Sequence, residues 1–291
     1  MGKLDAIGRG TFHHIAPQGA VRPTNREVRW FKHLERHGPQ SSFRLFELTS
    51  DTHRCKDTAL RQLQRLRAGG FLCLPPQQRA TERAEFNPYI YDLTPKAQRW
   101  LFDLDLAEPT VRPTGHWWHS YMVSSITSEI DLAATHAGVR YIPAHEILTR
   151  KGASLGMPIG GKTLIPDQLF ALKYPTGFRA YTLEADRGTE PLKSSAARKS
   201  LEESILQYAD ILRHNTHKTH YGVQANLMAL FVFTTQYRAN RFLQLVADIT
   251  PQSAANLLVQ VQHTGPSISA NSSILHRPWK RALNPDATLS T

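Results

Sequence analysis

The residues best suited to chemistry lie in two short acidic stretches, Pro166-Asp167 and Glu184-Ala185-Asp186. Both fall in runs with strand character, expected over Thr163–Lys173 and Phe178–Asp186. Strand side chains alternate, so Glu184 and Asp186 share a face, and Asp167 on the neighbouring strand can approach them. Clustered carboxylates repel one another unless a cation or a basic group offsets them. A divalent ion with oxygen ligands is the natural partner, and Mg²⁺ or Mn²⁺ suits phosphodiester chemistry. Glu129, on a long helix expected ahead of these strands, offers a further carboxylate. The alternative is an ion-paired network of Glu184, Asp186 and Arg187 at the sheet edge, with Gly188 making the turn.

A second set of residues is basic. Arg54, Lys56, Arg61, Arg65 and Arg67 lie on or before a helix expected from about Asp51 to Ala68. With Leu60, Leu63 and Leu66 turned inward, Arg54, Arg61 and Arg65 face out. Residues 22–67 hold 11 basic and 5 acidic side chains, a local net of +6. A helix fits the major groove, and arginine suits both phosphates and guanine edges, so double-stranded DNA is the expected partner. Arg79 and Arg83 are expected on a wing beside it. A solvated helix used for protein contacts is the competing explanation.

The elements that position these residues follow from local signals. Thr24 with Glu27 fits a capping box that opens a helix ended by Gly38. Ser41 or Ser42 caps a second helix, and the basic helix ends at Gly69-Gly70. Phe71–Leu74 and Tyr89–Leu93 read as two strands around a polar wing, and Thr94-Pro95 opens a further helix. That order predicts a winged helix-turn-helix over residues 24–108, after an arm at 1–23. Residues 109–262 read as a mixed α/β domain: a long helix from about His116 to Ala137, strands at Val139–Ile142, Thr163–Lys173, Phe178–Asp186, Leu227–Thr234 and Leu257–Gln262, and helices near Ser194–His214 and Arg238–Ile249. Residues 263–291, rich in Ser, Pro and Asn, read as a loosely ordered tail. The fold class expected is therefore α+β.

Bulk properties agree with a polyanionic partner. The 291 residues carry 35 Lys and Arg against 24 Asp and Glu, a formal net charge of +11. At 41% apolar the chain is rich enough to build a core, and its longest apolar run, Leu227–Phe233, is too short to span a bilayer. Cys55 and Cys73 lack zinc-ligand spacing and make no disulfide framework, so a cytoplasmic location without membrane contact is expected. Winged helices often dimerise on palindromic sites, which makes a homodimer a compatible assembly.

Other motifs carry less. Gly156–Thr163 matches the phosphate-loop letters, but Leu164-Ile165-Pro166 reads as strand where a helix must follow. His116 and His119 are three apart rather than at the four-residue spacing of zincins; His214, His217 and His220 fall in an expected polar loop. Tyr208 is placed on a helix, where packing is the ordinary role. No Gly-x-Ser-x-Gly elbow supports a hydrolase triad.

The acidic stretches and their strands resemble the PD-(D/E)XK nuclease superfamily, whose core runs helix, three strands, helix, strand. The resemblance implies that Asp167 and Glu184 hold a metal. It also implies a lysine two residues beyond the second acid, where this chain has Asp186; Lys193, Lys173 or Arg187 would have to substitute. A closer resemblance spans residues 25–235. Leu183–Glu190, after a helix opened by Leu93-Thr94-Pro95-Lys96, is similar to the replication-relaxation family of plasmid and mobile-element proteins. That implies a DNA-binding role in replication or mobilisation, either with metal-dependent nicking or as a regulator that has lost cleavage.

Overall fold

Thr24 and Glu27 close their capping box, the Thr24 N–H donating to Glu27 Oε2 at 2.7 Å, and helix α1 (Asn25–His37) follows. The computed structural model describes residues 15–80, 88–111, 115–194, 200–262 and 274–290; Arg83, the side chain of Arg79 and residues 1–14 of the expected arm lie outside these. Within the rest of that arm, Gln18 N–H bonds to the Ala68 carbonyl at 2.8 Å and Val21 packs on the core. Gly38 ends α1 at φ +99°, a conformation that favours glycine.

Strand β1 (Gln40–Ser41), helix α2 (Ser42–Leu48), helix α3 (Lys56–Ala68), strands β2 (Leu72–Cys73) and β3 (Ile90–Leu93) and helix α4 (Pro95–Asp103) come next. Helix α3 starts at Lys56 rather than near Asp51, because the N–H groups of Thr52 and His53 turn back onto the Thr49 carbonyl at 2.9 and 2.8 Å. The strands form an antiparallel sheet in the order β1-β3-β2, pairing Gln40 with Tyr91 and Leu72 with Leu93. Trp30, Phe31, Leu63, Leu66, Tyr91 and Leu101 fill the core beneath it. Trp30 Nε1 is satisfied by the Leu45 carbonyl at 2.7 Å, so its indole is buried without an orphan donor.

Helix α5 (Trp117–His136) is the long helix expected. The described chain divides into two compact units: residues 15–111 and 116–128 form the first, and 115, 129–262 and 274–290 the second. Within the first, α5 is tied to α1 by His33 Nε2 to Ser128 Oγ at 2.7 Å and His37 Nδ1 to Thr127 Oγ1 at 3.0 Å.

Among the described residues, the second unit is built on a seven-stranded sheet. After strand β4 (Arg140–Pro143) and helix α6 (Ala144–Leu148), strands β5 (Met157–Ile159) and β6 (Lys162–Leu164) make a separate hairpin. The single strand expected over Thr163–Lys173 is thus broken at Ile165–Asp167. Proline at 166 has no N–H to give a ladder, so the interruption falls there. Strands β7 (Gln168–Tyr174) and β8 (Gly177–Asp186) form an antiparallel pair, followed by helices α7 (Leu201–His214) and α8 (Thr216–Tyr221) and strand β9 (Asn226–Phe233). Residues 216–221 are therefore helical, not loop, and His217 is buried within them. Helix α9 (Gln236–Ile249) leads to β10 (Leu257–Val261). Strands β8, β9 and β10 run parallel, each pair joined by helices.

Residues 274–290 do not form part of a loose tail. Strands β11 (Trp279–Arg281) and β12 (Asn284–Ala287) extend the sheet, whose order is β12-β11-β10-β9-β8-β7-β4. Trp279, Leu275 and Leu289 are fully buried, which explains the ordering: burying such side chains contributes about 1.5–3 kcal/mol each. The polar composition hid these apolar anchors.

Candidate functional site

The acids sit at one end of the sheet. Glu184 and Asp186 project to the same face of β8, and that face is covered by α7 and α9: Tyr208 and Phe242 both pack on Phe231, the β9 neighbour of Glu184. Asp167 lies one residue before β7. The registered pair Gln168–Leu183 brings it opposite Glu184.

Each acid has protein partners. Tyr208 donates its hydroxyl proton to Glu184 Oε1 at 2.7 Å, and both side chains are buried. Burial, followed by the charge of Glu184, raises the Tyr208 phenol well above its ordinary value, so it stays protonated as a donor. Asp167 Oδ2 accepts the Ala185 N–H at 2.8 Å, a side-chain substitute for the ladder that Pro166 interrupts. Asp186 Oδ2 accepts from Arg238 Nε at 2.7 Å, and its Oδ1 from Gly188 N–H at 2.6 Å. Gly188, at φ +87°, makes the turn this contact requires. Arg238 also donates to the Glu190 carbonyl at 2.7 Å, fastening the segment after β8.

The remaining predicted residues of this group lie with other partners. Glu129 Oε1 is 2.9 Å from Arg277 Nη2 and its Oε2 accepts from Gln262 Nε2 at 2.8 Å. Lys193 pairs with Glu202 at 3.3 Å and is largely exposed. Lys162, of the phosphate-loop lettering, pairs with Glu203 at 2.7 Å; the Gly160-Gly161 turn joins β5 to β6, and no helix follows. Among the described residues, Asp167, Glu184 and Asp186 do not bring three carboxylate oxygens within 4.8 Å of one another. A three-carboxylate metal centre does not fit them.

Arg238 and Tyr208 are the partners that sequence reading did not assign to these acids. Thr235 caps α9, its Oγ1 accepting from Arg238 N–H at 3.4 Å, and so sets Arg238 in the first turn. No local spacing links it to Asp186; only the β8–β9–α9 path brings them together.

The basic helix is amphipathic. Ala59, Leu63 and Leu66 are fully buried, whereas Arg54, Lys56 and Arg61 are exposed. Lys56 Nζ lies 3.4 Å from the centroid of the Phe43 ring. Arg65 departs from its expected outward position. It is half-buried and bonded to Glu27 at 2.8 Å and to Gln62 Oε1 at 2.8 Å, while Arg67 is buried. The α1 capping box explains the first of these, because it leaves the Glu27 carboxylate buried and in need of a cation.

The helices and the mixed sheet define an α+β protein. The chain belongs to the replication-relaxation family, whose model matches residues 31–227. No curated protein matches it. Among solved structures it is similar to the SdaI restriction endonuclease at 13% identity, over 71% of this chain and 74% of that chain, with a TM-score of 0.26. Among the described residues, no helix is long and apolar enough to cross a membrane.

Proposed function

We propose that this chain is a DNA-binding protein of replication or mobilisation on a mobile element, with its first unit acting as a winged helix-turn-helix that lays α3 against duplex DNA. The observation that carries this is the outward side of α3 and the turn before it: Arg54, Lys56 and Arg61 are exposed where Ala59, Leu63 and Leu66 are buried, in a chain of net charge +11. The order of α1, α2, α3, β2, β3 and α4 supports the winged-helix reading. Over residues 117–233, α5, β4, β7, β8, α7 and β9 follow the helix, three strands, helix, strand order of the PD-(D/E)XK core, with α6, the β5–β6 hairpin and α8 inserted.

Of the two readings of the acids, the non-cleaving regulator is favoured by the Arg238–Asp186 pair, which fills the lysine position with an acid already neutralised. The metal-dependent nickase reading, with Mg²⁺ or Mn²⁺ on Asp167 and Glu184, is the second. Two measurements test them. Duplex affinity of Arg54→Ala/Arg61→Ala should fall by about tenfold or more, with a shallower salt dependence by about two counterions; unchanged affinity and slope would remove the groove-binding reading. Supercoiled plasmid carrying the element's origin should be bound without strand breaks in Mg²⁺ or Mn²⁺. Relaxation by the wild type that is lost in Asp167→Ala and Glu184→Ala would instead establish the nickase.

A further inference from the structure

A cleft of about 670 Å³ opens in the first unit beside the start of α1, lined by Thr24, Arg26, Glu27, His53, Gln62 and Arg65 among others. Three features of it point to an anion. The N-terminus of a 13-residue helix presents backbone N–H groups and the positive end of its dipole. Arg26 is exposed and, among the described residues, makes no ion pair. His53 is only 2% exposed, yet its Nε2 has no hydrogen-bond partner.

The His53 contacts leave one ring nitrogen without a partner. Its ring stacks on Trp30, with centroids 5.0 Å apart and planes 5° apart, and its Nδ1 lies 2.8 Å from Thr49 Oγ1. Thr49 Oγ1 also lies 3.2 Å from the Leu45 carbonyl and 3.1 Å from Trp30 Nε1. In the tautomer whose Nδ1 accepts the Thr49 proton, Nε2–H is a buried donor with no acceptor, and the site is assigned on that tautomer. Burial and the nearby Arg26 charge lower the His53 pKa, so the ring supplies this donor in its neutral form. Glu27 does not oppose an anion outright, since it is bonded to Thr24 N–H and Arg65. Gln62 gives its Oε1 to Arg65 and keeps its amide N–H groups as donors.

We propose that this cleft binds a phosphate group through Arg26, His53 Nε2–H and the first turn of α1, and that the phosphate is supplied by the backbone of duplex DNA. The assignment rests on the DNA-binding reading above. Arg61 sits one turn before Arg65 on α3, so the exposed basic stripe and the cleft border the same side of that helix. The cleft would then fix the register of α3 on the duplex without reading sequence.

The test uses the full chain, with ¹⁵N imidazole resonances followed on adding inorganic phosphate or a short duplex, and duplex affinity measured across salt concentrations. Phosphate and duplex should each move the His53 Nε2 signal. Arg26→Gln should weaken duplex binding by about fivefold to tenfold and lower the salt slope by about one. His53→Phe, which keeps the stack on Trp30, should weaken binding with the salt slope unchanged. Duplex binding that leaves His53 unmoved, with Arg26→Gln at wild-type affinity and slope, would overturn the site while leaving groove binding by α3 intact. A His53 response to inorganic phosphate that Arg26→Gln abolishes, in a protein that binds no duplex, would keep the phosphate site and overturn its DNA source.

Discussion

Replacing Arg238 with Met tests whether Asp186 is a structural anion or a free ligand. The two side chains are only 18% and 6% exposed, so the substitution leaves a carboxylate out of water with the Gly188 N–H as its remaining contact described above. Removing one partner of a fully buried pair costs about 3–5 kcal/mol. Arg238 lies nearer the rim, which lowers the expected loss to about 2–4 kcal/mol. Urea denaturation followed by far-UV circular dichroism would read this as a midpoint lower by about 1 M, taking a slope of about 2–3 kcal/mol per molar. The double variant Arg238→Met/Asp186→Asn removes the charge as well as its partner, and should recover at least about half of the loss. A loss below about 0.5 kcal/mol, the value of an exposed pair, would refute the reasoning and make Asp186 available to a metal ion.

Three further outcomes follow from the same structure. Trp279→Ala should destabilise the second unit by about 3–5 kcal/mol, measured in the same denaturation assay; an unchanged midpoint would mean that β11 and β12 do not belong to the sheet. Tyr208→Phe removes the donor to buried Glu184 and should cost about 1–3 kcal/mol, with no gain or loss of DNA affinity. Burial lowers the pKa of His217 and of His53. Above about pH 6.5 both rings are neutral folded and unfolded; below it the unfolded chain binds protons first, so stability falls until the depressed folded values are reached, with a slope of up to about 1.4 kcal/mol per unit for each ring. Comparing denaturation at neutral and mildly acid pH, His217→Phe should show a shallower fall than the wild type, and equal slopes would contradict a buried neutral imidazole at 217.

Local chemistry made much of this protein legible in one dimension. The Thr24–Glu27 box, the Thr94-Pro95 start, the Leu63 and Leu66 stripe of α3 and the apolar run of β9 each depend on residues a few positions apart, whose period or cap specifies one element. The Leu183–Glu190 string likewise carried the family resemblance. The partners of the acids were decided only by the tertiary fold. Arg238 reaches Asp186, and Tyr208 reaches Glu184, through crossovers that return the chain to β8 after long excursions, and no spacing rule links such positions. The same holds for Arg65: helical phase alone turned it outward, but the buried Glu27 carboxylate of another helix drew it in. A charge's environment is set by everything within a few ångströms in space, whereas a helix or strand is set by what is near in sequence; that difference separates what could be read from the chain from what required the fold.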